Sequence, residues 1–256
     1  MTGAKVTPVA SFPPNFFLEN LVIRHDGSIL ITVTNQKHLY YVPRPDSGVA
    51  TPQFLHTFEH STTGIVELGR DVFHISTTLL SEDSPNILWR LDMRNLTPTA
   101  VLEPMPVLTF PPESKVLNGF CVLSSSVILR ADSWADLIWR VDILEDCSAP
   151  SARVWLKHNM LAHSDDPKKF DVPGVNGVKF NHKDGHVYFT ITAQTTLGRI
   201  RIDPGTLDCV GDPEDVTERW MWGDDLIIDK EAGVAYVTTH RQNTIERINL
   251  KSIVRM

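Results

Sequence analysis

The stretch Asn118 to Asp142, NGFCVLSSSVILRADSWADLIWRVD, sets a pattern that recurs through the chain and limits what it can fold into. An apolar run opens on a polar pair, Asn118 and Gly119. A second alternating run ends in a small polar cluster, Ala131, Asp132 and Ser133. A turn then leads to a third run, Leu137 to Ile143, which carries Arg140 and Asp142. Alternation at period two in Val, Ile, Leu and Trp, bounded by Ser, Asp and Gly, fits half-buried antiparallel strands, whose successive side chains point to opposite faces. The unit reads as a three-strand meander with room for a fourth strand before the next copy.

Four further copies follow the same order. The first has Glu19 to Thr34, His38 to Arg44 and Gln53 to Phe58; the second has Gly64 to Thr78, Asn86 to Asp92 and Thr99 to Leu102. The defining unit is the third, with Ala152 to His158 as its outer strand. The fourth has Asn176 to Ala193, Gly198 to Asp203 and a weak run near Asp208; the fifth has Asp224 to His240 and Asn243 to Leu250, with Lys251 to Met256 beginning an outer strand. Starts at 19, 64, 118, 176 and 224 give intervals of 45, 54, 58 and 48 residues. That is the period of β-propeller blades, about 40 to 50 residues in four strands around a central axis. Within copies, HDG, KDG and EAG serve as hairpin turns needing a residue at positive φ. The repeated WRLD, WRVD and RIRID third strands predict blade-to-blade packing with Arg and Asp at the outer edge. Lys5 to Phe12 reads as a lone strand before Pro13 and Pro14. Residues 158–174 lack strand periodicity and read as a surface loop, a candidate lid over one face.

Composition narrows the function classes. A chain of 256 residues with 42% hydrophobic content supports a substantial core, and the whole of 1–256 is expected to form one propeller domain. A net charge of -7 without a basic block argues against a nucleic-acid partner. No signal-peptide pattern or membrane-length apolar run is present, so a cytoplasmic protein is expected. Cys121, Cys147 and Cys209 show neither CxxC nor zinc spacing; they are expected to be reduced thiols, Cys121 in the core.

In a propeller the first strand of each blade is innermost, so its opening residue lies at one mouth of the central channel. The openers are Glu19, Gly64, Asn118, Asn176 and Asp224, four of them with oxygen-bearing side chains. Carboxylates and amides converging from separate blades would suit Ca²⁺, a hard cation with six to eight oxygen ligands, better than the smaller, more hydrated Mg²⁺. The competing explanation is that Asn and Asp open strands because they make good turns. The second strand returns to the same mouth, which places Thr32, Thr34, Ser76 to Thr78, Asp132, Ser133, Thr190, Thr192, Thr239 and His240 in a polar collar. His240 is a candidate general base, with Asp132, Trp134 and Trp222 beside it in the catalytic set. Asn20, Ser133, Thr190, Thr192 and Thr239 are candidate substrate contacts. Trp134, Trp220 and Trp222 are placed to form a wall for an apolar or ring-bearing small molecule, and plain packing explains them equally well.

The segments ENLVIRHDGSILIT, LNG, ADSWADLIWRVD, PGVNGVKF, YFT and GDDLIID…AYVTTH…NTIERI resemble the SMP-30/gluconolactonase/strictosidine-synthase-like superfamily of six-bladed propellers. Within it they are most similar to a fungal branch found beside secondary-metabolite genes. The resemblance implies a divalent cation held by Glu19, Asn176 and Asp224, with Asn118 nearby. It departs from the hydrolase pattern at Glu19-Asn20-Leu21, where Glu-Gly-Pro is usual, and no counterpart of the paraoxonase histidine dyad is identified. Some members of the fungal branch are hetero-Diels-Alderases, which join a quinone methide to a terpene alkene in tropolone sesquiterpenoid pathways. Six blades of this period need roughly 300 residues, and only about five repeats are present. Either five blades close in a tighter ring, or a blade edge stays open to self-association, with Lys5 to Phe12 contributing to closure. Three functions are expected in this order: an enzyme guiding a cyclisation or cycloaddition, a cation-dependent lactonase or esterase, and a non-catalytic binding propeller.

Overall fold

The computed structural model describes residues 6–44, 48–78, 85–95, 102–143, 150–164 and 172–252. Its strands form five antiparallel sheets, each a consecutive meander. Blade 1 is β1 (Leu18–Ile23), β2 (Ile29–Val33), β3 (His38–Val42) and β4 (Gln53–Thr57); blade 2 is β5 (Ser61–Glu67), β6 (Val72–Thr78), β7 (Ile87–Asp92) and β8 (Met105–Thr109). Blade 3 is β9 (Leu117–Ser124), β10 (Val127–Asp132), β11 (Leu137–Asp142) and β12 (Ser151–Lys157). Blade 4 is β13 (Val175–Asn181), β14 (His186–Ile191), β15 (Thr196–Ile202) and β16 (Cys209–Asp215). Blade 5 has three strands, β17 (Gly223–Asp229), β18 (Val234–Thr239) and β19 (Ile245–Asn249). The inner strands pack in the order β1, β5, β9, β13, β17, which makes the architecture an all-β propeller of five blades.

The cores lie between blades, because each sheet turns an apolar face to its neighbour. Leu30, Leu39 and Val22 of blade 1 meet Ile65, Phe73 and Ile75 of blade 2. Leu129, Ala131 and Ile138 of blade 3 meet Val178, Phe189 and Ile191 of blade 4, with the buried Cys121 among them and its thiol pushed up to about 12 by burial. Tyr188 and Leu197 of blade 4 meet Leu226, Ala235 and Val237 of blade 5. The third-strand Arg-Asp pairs are edge ion pairs: Arg90 to Asp92 at 3.0 Å and Arg140 to Asp142 at 2.9 Å, with Arg140 also reaching Asp208 of blade 4.

Three sequence expectations are corrected. The outer strand of blade 2 is β8, beyond the Thr99–Leu102 run, whose first three residues lie outside those described. Residues 6–12 make no strand; a single parallel bridge joins Ala10 to Ala50, because Pro8, Pro13 and Pro14 remove ladder donors. This segment covers blade 1, with Phe12 packed edge-on against Tyr40 at 5.3 Å, and does not complete blade 5. Nor does Lys251 begin an outer strand: Leu250–Ser252 is a 3₁₀ turn, and 253–256 are not described. The 158–174 segment begins with a 3₁₀ turn at Asn159–Leu161 and is pinned by a bridge from Ser164 to Val172; residues 165–171 and Cys147 lie outside the described set.

Among the described residues, the five blades do not close the ring by sheet packing. β1 and β17 are not paired side by side as the other neighbouring inner strands are. Across their gap, Asn20 Nδ2 donates to Asp225 Oδ2 at 3.4 Å. The faces turned to this gap leave Leu21 54%, Ile23 61%, Ile227 65% and Ile245 69% exposed, which marks them as surfaces without a neighbouring blade.

Candidate active site in the central channel

Every inner strand is bulged at the same place. The strand register shifts at Leu18/Asn20, Thr62/Ile65, Arg130/Asp132, Val175/Val178 and Gly223/Leu226. Aligning the pairs Leu21–Ile31, Ile65–Ile75, Phe120–Arg130, Val178–Phe189 and Leu226–Val237 puts Glu19, Thr63, Asn118, Asn176 and Asp224 in one tier, and Asn20, Gly64, Gly119, Gly177 and Asp225 in the next. The opener of blade 2 is therefore Thr63, and Gly64 belongs to the tier behind it. A bulge adds a residue without a ladder partner and re-aims the side chains around it.

The second tier explains why three of its members are glycine. A Cβ on Gly64 would lie 2.5 Å from the Asn118 carbonyl oxygen; on Gly119 it would strike the Asn176 carbonyl and stand 2.8 Å from Gly177 Cα; on Gly177 it would lie 2.9 Å from the Asp224 carbonyl oxygen. Each inner strand thus presses on the opener of the next blade. Asp225, on the last blade of the series, faces the gap in place of a next blade and has room for a side chain.

The channel gathers carboxylates. Asn176 Nδ2 donates to Asp224 Oδ1 at 2.7 Å and to Thr192 Oγ1 at 3.3 Å, which leaves its amide oxygen as the group able to face the axis. Burial, helped by Asp224 and Asp225, pushes the Glu19 carboxyl up to about 7, against the pull of the Arg130 guanidinium. Asp224 is raised by burial and by Asp225, and opposed by His240 and the Asn176 bond. Lys179 Nζ donates to Asp225 Oδ1 at 2.9 Å and to the Phe120 carbonyl at 3.3 Å. Glu19, Asn20, Lys179, Asp224 and Asp225 line a cavity of about 610 Å³ whose other walls include Leu21, Ile65, Phe120, Phe180, Leu226 and Tyr236.

The collar hydroxyls join the blades. Thr32 donates to the Thr63 carbonyl, Thr34 to Thr62, Thr78 to Lys115, Ser133 to Val175, Thr192 to Gly223 and Thr190 to Asp224. Thr239 is bonded to Thr244 within blade 5. Asp132 accepts from Lys115 N, Val116 N, Ala135 N and Trp139 Nε1, at 2.9 to 3.1 Å, and so clasps the start of blade 3. His240 is exposed, its backbone N–H bonded to the Trp222 carbonyl; the Arg241 guanidinium stands 5.2 Å from the Trp222 ring. Trp134 lies 5.6 Å from His163. The structure thus brings Glu19, Asn20, Asn176 and Asp224 together at the cavity end, with Asn118 in the same tier, while Ser133, Thr190 and Thr192 sit in the collar above them.

Three further groups belong to this region. Lys179 and Arg130 give no sequence signal beyond single basic residues in apolar strands. His163, whose Nδ1 lies 2.7 Å from Asp136 Oδ1, is a histidine-carboxylate pair at the mouth formed by residues 27 apart in sequence.

By sequence, the chain matches no protein-family model and no curated protein. Among solved structures, the nidogen/laminin complex aligns at TM-score 0.67 and 12% identity, over 95% of this chain and 80% of that one. Regucalcin from Agrobacterium tumefaciens, a calcium-binding protein, aligns at TM-score 0.64 and 15% identity, over 95% and 76%. The luciferin-regenerating enzyme aligns at 0.60 and 9%, over 90% and 73%. The chain has a propeller fold. At these identities the likeness shows the fold alone, one that serves both enzymes and binding proteins.

The tier also meets the chemical demand of a divalent cation. Two carboxylates and an amide oxygen, from Glu19, Asp224 and Asn176, are hard donors of the kind Ca²⁺ takes, and the raising of both carboxyls, by burial first and then by neighbouring aspartates, is the strain a cation would relieve. Among the described residues no three His, Cys, Asp or Glu side chains form a ready ligand cluster.

Proposed function

We propose that the chain is a small-molecule enzyme that guides a cyclisation or cycloaddition of the hetero-Diels-Alder kind inside its channel. The observation carrying this is the cavity itself: about 610 Å³, lined by aliphatic and aromatic side chains of the inner strands together with Tyr236 and Ile245 of blade 5, with Glu19, Asn20, Asp224 and Asp225 among its polar groups. That volume falls in the range of small-molecule sites. A pericyclic step forms no covalent enzyme intermediate. It needs two partners held in reactive orientation and a donor aimed at the oxygen where charge develops. Glu19 in its acid form is that donor, and the Lys179 ammonium is a second. The apolar walls hold the ring-bearing partner.

The test is conversion of a quinone methide and a terpene alkene by EDTA-treated protein. The reading predicts a stereochemically single adduct formed faster than without protein, and loss of that excess rate in Glu19→Ala. Chelation that abolishes turnover would overturn it.

A second reading is favoured by one specific contact. The Asn176 to Asp224 bond orients an amide oxygen beside two carboxyls, the donor set of a cation-dependent lactonase. A cation bound there would polarise a lactone carbonyl as a Lewis acid. Glu19, Asn176 and Asp224 would hold it, and calorimetry with Ca²⁺ on the wild type and Asp224→Ala tests this directly: tight binding lost in the variant supports it, and no heat in either removes it.

A further inference from the structure

One residue breaks the repeat. The second-strand partners of Leu21, Ile65, Val178 and Leu226 are Ile31, Ile75, Phe189 and Val237, and the partner of Phe120, at the same position in blade 3, is Arg130. Four blades put an apolar side chain there for packing; blade 3 buries a guanidinium, 0% exposed. Nη2 donates to Thr63 Oγ1 at 2.8 Å and to Ser76 Oγ, which fixes the head against blade 2. Among the described residues, Nε and Nη1 have no hydrogen-bond partner. The absence of a side chain at Gly64 is what admits Nη1, since any Cβ there would overlap it. The guanidinium carbon lies 3.8 Å from the centre of the Phe120 ring, and Phe120 is also part of the cavity wall.

A buried guanidinium with unfilled donors is unfavourable unless an acceptor meets them. Burial holds its value well below the usual arginine range, opposed in part by Asp132, Glu19 and Asp225, which favour its charge from a distance without bonding to it; the guanidinium keeps its proton because its ordinary value is so high. We propose that Arg130, anchored by Thr63 and Ser76, forms an oxyanion subsite that takes a carboxylate or enolate-type oxygen of the small molecule whose apolar body fills the cavity. This rests on the reading of the channel as a small-molecule site. Phe120, which lies over the guanidinium and lines the cavity, separates the two, and the subsite requires its ring to turn aside. The carboxyl groups of Asp224 and Asp225 at the cavity end disfavour an anion there, so the pair of ends fixes which way round the ligand lies.

Calorimetric titration with benzoate and with benzamide, of the same ring but uncharged, tests this on the wild type and Arg130→Met, each shown folded by circular dichroism. A charge-assisted contact predicts benzoate bound about tenfold more tightly than benzamide by the wild type, and equal binding of the two by the variant. Benzamide bound without a benzoate preference, or a preference surviving in Arg130→Met, overturns the subsite alone. Binding of neither probe overturns the small-molecule cavity with it. If Arg130→Met does not fold, Ser76→Ala loosens Nη2 while keeping the charge: a several-fold loss of benzoate preference supports the subsite, and an unchanged preference overturns it.

Discussion

Gly119→Ala is expected to be among the most destabilising single-methyl additions in the chain. The new Cβ would strike the Asn176 carbonyl oxygen and stand 2.8 Å from Gly177 Cα and 3.0 Å from Val178 N, all backbone atoms of β13. No side chain can rotate away, so β9 and β13 must separate by several tenths of an ångström along the interface that joins blades 3 and 4. Overpacking of this kind costs about 1 to 3 kcal/mol, and the upper end applies where backbone must move. Ala also restricts the unfolded chain more than Gly, which offsets under about 1 kcal/mol. A net loss of about 2 kcal/mol follows, read as a lower urea midpoint at unchanged slope. Gly205→Ala is the control: Gly205 is exposed, and its Cβ would come no closer than 3.3 Å to Asp203 Oδ1. If Gly119→Ala costs no more than Gly205→Ala, the close approach of inner strands is not what requires glycine in this tier.

Other perturbations have defined signs. His74 is buried, and burial followed by Arg90 pushes its imidazole down to about 4; the folded state therefore excludes a proton that the unfolded chain binds below about 6.5. Stability is fully present above that value and falls by up to about 3 kcal/mol as pH drops toward 4, and His74→Phe should flatten this part of the pH-stability curve. Glu19 has the opposite slope: with its carboxyl up at about 7, its contribution is present below the unfolded carboxyl value and is lost as pH rises through 7. Glu19→Gln in chelator should then be more stable than wild type at pH 8, by up to about 3 kcal/mol, and unchanged at pH 4; thermal melts at the two pH values decide it. Asp132→Asn leaves one acceptor where four N–H groups converged, and a loss of about 2 to 4 kcal/mol in urea unfolding is expected.

The blades were legible because period-two alternation and Asp-Gly turns are local signals. Strand runs such as ILITV, VILRAD and VAYVTT carry their own faces, and the repeat interval supplies the architecture. The bulges were not legible. A bulge adds one residue without disturbing the surrounding alternation, so Gly64 reads as an opener until strand pairing puts Thr63 in that tier; the recurrence of Gly64, Gly119 and Gly177 was the available clue. The convergence of Glu19, Asn176 and Asp224 could be read because blade-opening residues must share the axis. Arg130 and Lys179 could not, since each looks like an ordinary basic residue until the fold buries the first and pairs the second with Asp225 of the next blade. His163 and Asp136 are brought together only by the fold of the 158–164 segment. The Pro-rich start misled because residues 6–12 alternate like a strand, while Pro8, Pro13 and Pro14 leave them a single bridge.

The central claim is that Glu19 in its acid form activates a small molecule in an apolar channel. The pH-rate profile of the quinone methide cycloaddition, measured in EDTA with wild type and Glu19→Gln, addresses it most directly. The account predicts a wild-type rate that is highest below pH 7 and falls as pH rises through the Glu19 value of about 7, with the fall absent in Glu19→Gln. A wild-type rate that rises or stays level through that range, or the same fall in both proteins, would contradict it.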